Sequence, residues 1–286
     1  MSISELRFAY YSHHKCATGW TASILREVCF HLGRVFRTAH GPQQYGEAGS
    51  LRDWVRREGV EFLAYTNAEI EEAAALPEHR GFHVVRDPHD VLVSGYFSHK
   101  NSHPTDRWPE LESHREALQS LSKEEGLLKE IEFSRPFLEA MRTWEYDQEH
   151  VLEVKMEDLT GDPDAQFRRV FRHLGLLSEE VVDAPGLLTK GRQYGNRVAH
   201  KLHHELPLPL RRRFARESVI HPDILNAILE NHQFRKITSG RSKGEADPES
   251  HYRKGKPGDW KNHFTDRVDR AFEDAFGDIV EMLGYN

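Results

Sequence analysis

Three stretches of this chain concentrate groups suited to gripping an anion. The most pointed is RKGKPGDWKNHFT, Arg253 to Thr265. Arg253, Lys254, Lys256 and Lys261 surround Gly255 and Gly258, and glycine lets backbone N–H groups come close to an anion. A solvated basic tail does not spend a tryptophan and a phenylalanine within a few residues, so Trp260 reads as an anchor packing this loop onto the body. The second stretch is SHHKCATGW, Ser12 to Trp20. It lies between a strand and a helix, where a helix amino terminus offers unpaired N–H groups and partial positive charge. Lys15 adds a full charge and Thr18 a hydroxyl, a set suited to phosphate. The competing reading is an ordinary turn with a solvated lysine. The third is VVRDPHDVLVSGYFSH, Val84 to His99. Arg86 closes a strand, and Ser94 follows about two helical turns later. That pair can fork onto a second phosphate, or Arg86 can simply pair with Asp87 or Asp90.

A nucleoside-triphosphate loop reads G-x-x-x-x-G-K-[ST]. Here the lysine precedes Gly19 and Cys16 follows it, so the loop can hold phosphate but lacks the usual magnesium hydroxyl.

The elements that must position these groups alternate. LRFAYYS (Leu6 to Ser12), VFRT (Val35 to Thr38), VEFLAYT (Val60 to Thr66), FHVVRD (Phe82 to Asp87) and VLEVKMEDL (Val151 to Leu159) read as strands. Between them, Trp20 to Leu32, Ser50 to Gly59 and Ala68 to Leu76 read as helices. Asp87 and Pro88 open another helix, and Asp164 to Gly175 is amphipathic and ended by glycine. Strand–helix alternation predicts an α/β fold: a P-loop-like, mainly parallel central sheet flanked by helices, as one domain over residues 1–286. The polar, helix-prone stretch 108–148 reads as a helical insertion over the acceptor side, and 239–252 as a mobile loop.

Composition narrows the partners. The 286 residues carry 39 Lys plus Arg against 46 Asp plus Glu, a net charge of −7. An acidic chain is not expected to bind nucleic acid broadly, but a few placed cations suffice for a small anionic ligand. Two cysteines, Cys16 and Cys29, make no disulfide framework and no zinc spacing. No stretch reaches the ~18 apolar residues of a membrane span. The expectation is a protein of a reducing compartment, most simply the cytoplasm.

Taken together, the three stretches resemble the sulfotransferases that use 3′-phosphoadenosine 5′-phosphosulfate (PAPS). The family's P-K-S-G-T-T-W loop is similar to His14-Lys15-Cys16-Ala17-Thr18-Gly19-Trp20, with the lysine, first threonine and tryptophan kept. Its R-N-P-K-D-V-x-V-S element resembles Arg86 to Ser94, and its terminal R-K-G-x-x-G-D-W-K-N-H-F-T is met at every specified position by Arg253 to Thr265. VKMEDLTGDPDAQFRRVFRHLGL resembles the family's Y-E-D-L segment and following helix, with Met156 where an adenine-side tyrosine often stands.

The resemblance implies transfer of a sulfuryl group from PAPS to a hydroxyl or amine, releasing 3′-phosphoadenosine 5′-phosphate (PAP), with no metal required. It implies that Lys15, Cys16, Ala17, Thr18, Gly19 and Trp20 hold the 5′ end, with Trp20 stacking on adenine and Phe234 as the opposite wall. Arg86, Ser94, Arg253, Lys254 and Gly255 would take the 3′-phosphate. Lys15 would also neutralise the leaving oxygen. The acceptor must give a proton to a base, and here the chain departs: the family's K-[ST]-H site reads Tyr65-Thr66-Asn67, and Asn67 is no base. His40, after the second strand, is the candidate put forward, with Glu47, Glu69 and His99 behind it. The acceptor is a small molecule, glycan or lipid of unspecified identity. Two alternatives remain: a P-loop kinase or NTPase, and a PAP(S)-binding protein without turnover.

Overall fold

A computed structural model describes residues 5–106, 108–177, 186–202 and 215–285 of the chain. Five strands form one parallel sheet: β1 (Phe8–Ser12), β2 (Phe36–Ala39), β3 (Phe62–Tyr65), β4 (Arg80–Val85) and β5 (Val151–Lys155), in the order β2-β3-β1-β4-β5. β1 is central, pairing Tyr10 with Ala64 of β3 on one side and with Phe82 of β4 on the other. A crevice at the carboxyl ends of such strands, where the strand order reverses, is where α/β sheets bind ligands.

The inner strands β1, β3 and β4 are largely apolar on both faces because both are covered. Phe8 and Tyr10 of β1, Phe62 and Ala64 of β3 and Phe82 and Val84 of β4 face one core. Ala9, Tyr11, Leu63 and Tyr65 face the other, with Trp54 and Trp144. This two-residue alternation is why short continuous apolar runs read as buried strands.

The helices run in chain order as α1 (Thr18–Leu32), α2 (Pro42–Tyr45), α3 (Leu51–Glu58), α4 (Ile70–Ala74), α5 (Pro88–Phe97), α6 (Pro109–Ser120), α7 (Lys123–Arg142), α8 (Met156–Gly161), α9 (Pro163–His173), α10 (Leu187–Leu202), α11 (Pro222–Asn231), α12 (Phe234–Ile237) and α13 (Asp266–Met282). A single π-helical turn, Ser98–Ser102, extends α5.

The expected strand Val151 to Leu159 stops at Lys155, and Met156–Gly161 is helical. Glu157 and Asp158 fall in that helix's first turn, where carboxylates favour the helix dipole. The expected insertion is a helical pair, α6 and α7; Ser122 and Glu125 form a capping box at the start of α7. Segment 239–252 is crossed by Arg241, which donates to the Tyr252 and Arg253 carbonyls at 2.8 and 2.9 Å and to Ser250 Oγ at 2.7 Å. α13 went unread in the sequence although Val268, Phe272, Phe276 and Ile279 repeat at helical spacing and are buried.

Candidate active site

The carboxyl ends of β1, β2, β3 and β4 open into one cavity of about 1820 Å³. Lys15, Ala17, Thr18, Gly19, Trp20, His40, Arg86, Ser94, Phe234, Arg253, Lys254 and Gly255 all line it. Cys16 does not: it is buried in the core, its amide held by the His13 carbonyl at 3.2 Å and its thiol pushed up to about 12 by burial.

The loop after β1 is built from backbone that side chains resist. Lys15 has φ 65° and Ala17 φ 57°, both left-handed, a region costing roughly 1–2 kcal/mol for a residue with a Cβ. Ala17 is also the N-cap of α1, and no side chain caps that end. The early N–H groups of α1 therefore stay available to an anion. Ser12 Oγ reaches back to the Cys16 carbonyl at 3.4 Å. Burial, with Arg86 beside it, pushes the Lys15 ammonium down to about 7.

Arg86 is buried at the end of β4. Its Nη1 donates to the Lys15 carbonyl at 3.0 Å, tying the second and third stretches together. Its Nη2 lies 3.9 Å from Asp90, and its buried Nε has no hydrogen-bond partner among the described residues. A buried orphan donor is costly and fits a site made for an anionic group.

The RKGKPGDWKNHFT loop is held from both ends. Asp90 accepts from the Gly258 amide at 2.6 Å and the Trp260 amide at 3.1 Å. Trp260 Nε1 donates to Asp87 at 3.1 Å, and its ring stacks on His89 with centroids 4.3 Å apart. Trp260 thus anchors the loop to the start of α5, which carries Ser94. Asp259 is buried and gathers Arg253 at 2.5 Å, Lys254, Asn262 at 3.0 Å and His263 at 3.1 Å. Burial would raise this carboxyl, but Lys254, Arg253 and Asn262 hold it far below the usual range. The two cations are therefore fixed in direction before any ligand arrives.

Gly255 explains itself. Its φ is +64°, and a Cβ there would meet the Phe234 ring at 2.5 Å. Phe234 lies flat on this glycine because nothing projects from it. Across the cavity Trp20 donates Nε1 to the His232 carbonyl at 2.7 Å and meets Phe167 edge-on at 5.5 Å. Trp20 and Phe234 thus both line the cavity beside the cationic loops.

His40 lines the cavity at the end of β2, with Nδ1 2.6 Å from Thr66 Oγ1; burial lowers it. Asn67 donates to the His40 carbonyl at 2.8 Å, fixing that loop. Nothing local to the sequence groups His14 with α7. In space His14 stands against Phe137 at 4.5 Å and places Nε2 2.9 Å from Nε2 of His99. His103, Trp108, Phe137 and His251 complete that end of the cavity. Long-range contacts of this kind leave no local signal.

Comparison with known proteins agrees with this architecture. The family model described as "Sulfotransferase domain" matches residues 70–186. The Lys15 loop and the Arg253 loop lie outside that span. A mouse sulfotransferase, SULT7A1, solved with PAP, is similar at 14% identity and a TM-score of 0.53, covering 96% of this chain and 84% of the other. A retinol dehydratase solved with androsterone and PAP is similar at 14% identity and a TM-score of 0.46, covering 97% and 82%. No curated protein matches by sequence. The chain has the fold of these sulfotransferases, a parallel five-stranded sheet flanked by helices, and the family model matches it over residues 70–186.

Proposed function

We propose that this chain transfers the sulfuryl group of PAPS to a hydroxyl of a small, largely apolar acceptor and releases PAP. One observation carries the reading: three anion-gripping segments, far apart in the sequence, line a single cavity together with two aromatic walls. In this reading Lys15, Thr18 and the first amides of α1 hold the 5′ end. Arg86, Ser94, Arg253, Lys254 and the backbone at Gly255 hold the 3′-phosphate, and Trp20 and Phe234 flank the adenine. PAPS supplies the sulfuryl group; Lys15 meets the charge that grows on the departing oxygen.

The acceptor end is walled by Trp108, Pro136 and Phe137, which favours an apolar body with a polar handle. Among the described residues no helix is long and apolar enough to cross a membrane. Both cysteines are buried free thiols, which fits a reducing compartment such as the cytoplasm.

The test is thermal unfolding with PAP against ATP. A ligand at a hundred times its Kd stabilises the native state by about 2.7 kcal/mol. PAP is expected to raise Tm at concentrations where ATP does not. A shift with ATP and magnesium but none with PAP would return the kinase or NTPase reading. PAP binding without turnover on any alcohol, phenol or amine would return the non-catalytic one.

A further inference from the structure

Five buried or half-buried groups form a continuous network that ends beside Lys15. Glu130 of α7 is fully buried. Its Oε1 lies 2.8 Å from His99 Nδ1 and accepts from Ser134 Oγ at 2.6 Å, while its Oε2 lies 2.8 Å from His114 Nε2. His99 Nε2 lies 2.9 Å from His14 Nε2, and His14, which lines the cavity, immediately precedes Lys15.

The fold makes room for this chain. A Cβ on Gly95 would stand 2.7 Å from Glu130 Oε1, so α5 and α7 approach through a glycine to admit the carboxylate. His99 sits in the π-helical turn, a local insertion that re-aims side chains and recurs at functional sites. Arg115 fixes the turn, donating to the His99 carbonyl at 2.7 Å and to the His103 carbonyl at 2.5 Å.

The proton positions follow from the acceptors. Burial would raise Glu130, but His99 and the bonds from His114, His99 and Ser134 hold it at about 2, so it is an ionised acceptor. His99 therefore presents N–H at Nδ1. Burial keeps His99 neutral, which leaves its Nε2 bare to accept N–H from His14 Nε2. His14, also kept neutral by burial, is left with its lone pair on Nδ1, and that atom has no hydrogen bond among the described residues.

We propose that His14 is the catalytic base, its tautomer and orientation set by His99 and Glu130 as positioning residues. The inference rests on the sulfotransferase reading. In the step, the acceptor oxygen forms a bond to sulfur as the bond from sulfur to the 5′-phosphate oxygen breaks. The acceptor proton passes to His14 Nδ1, and the leaving electron pair stays on PAP. The new imidazolium keeps its Nε2–H on His99, whose own Nδ1–H faces Glu130, so the positive charge forms next to a chain ending in a carboxylate. His40 is the rival, but its Nδ1 meets the Thr66 hydroxyl, which donates on to the Ala39 carbonyl at 3.4 Å, so no carboxylate stands behind its imidazolium as Glu130 stands behind that of His14.

The test has three arms on the whole protein. The first is PAP binding by thermal shift, expected unchanged in His14→Gln and Glu130→Gln; absence of binding in the wild type defeats the sulfotransferase reading and not the assignment of the base. The second is PAPS-dependent sulfation of phenol and of 4-nitrophenol at pH 8. Phenol needs a base, whereas 4-nitrophenol is largely ionised. His14→Gln is expected to lose at least ~100-fold on phenol and under ~10-fold on 4-nitrophenol, with His40→Ala near wild type on both. Equal losses on the two phenols, or a large loss only in His40→Ala, would overturn the assignment. The third needs no turnover: ¹⁵N resonances of the histidines should show His14 protonated at Nε2 and bare at Nδ1, shifting in Glu130→Gln. A protonated Nδ1 in the wild type, or a stoichiometric metal ion in purified protein whose removal changes these resonances, overturns it too.

Discussion

A phosphate grip built on a lysine that is half deprotonated at neutrality must titrate. Lys15 is pushed down to about 7 by burial, with Arg86 beside it, whereas an ordinary lysine titrates near 10.4. PAP in the cavity would supply a counter-charge and restore the ammonium. Only the protonated fraction of free protein is then ready to bind, so the apparent Kd is the intrinsic value divided by that fraction. With a pKa of about 7 the fraction is about a half at pH 7 and about one in a hundred at pH 9, giving a ~50-fold weakening across that interval. Among the neighbours that feel Lys15 the window is clean. The phosphates of the ligand are already dianionic above ~6. His103 and His251, which feel Lys15, titrate at about 4, and Cys16 at about 12. Isothermal titration of PAP at pH 7, 8 and 9 in buffers of different ionisation enthalpy should show uptake of about 0.9 proton at pH 8. Lys15→Arg, charged throughout, should bind with a flat profile. A flat profile in the wild type, or the same slope in Lys15→Arg, would refute the reasoning.

Three further outcomes follow from the geometry. Ala17→Gly relieves a left-handed alanine at the N-cap of α1 and should stabilise the fold by about 1 kcal/mol, read as a Tm rise of roughly 2 °C. Gly255→Ala forces a Cβ to within 2.5 Å of the Phe234 ring at a φ of +64°. PAP affinity should fall at least ~10-fold, the equivalent of 1.4 kcal/mol, with the fold intact by circular dichroism. Asp259 is held far below the ordinary carboxylate range, so its stabilisation is full above the unfolded value near 3.9 and fades as pH falls through the folded one. Asp259→Asn should lose about 3 kcal/mol at pH 7 in urea unfolding and show a flatter loss of stability below pH 4.

The sequence by itself determined the sheet and marked out the three cationic stretches. Buried strands are continuous apolar runs, turns and caps are local, and a loop such as RKGKPGDWKNHFT carries its aromatic anchor and its cations within thirteen positions, so each could be read without knowing what lay opposite. Even there, only the fold showed that Asp259 gathers Arg253 and Lys254 and that Gly255 is bare because Phe234 rests on it. Cys16 sits inside the loop motif but turns into the core, because the left-handed residues on either side rotate the chain. The histidine end of the cavity was decided by tertiary structure alone. Glu130 sits on an amphipathic helix where a glutamate reads as a surface residue, and it becomes an internal carboxylate facing His99 only because Gly95 lets α7 close on α5. Hydrogen bonds between residues 31 and 85 positions apart depend on how helices pack, and packing is a property of the whole chain that no local run of residues records.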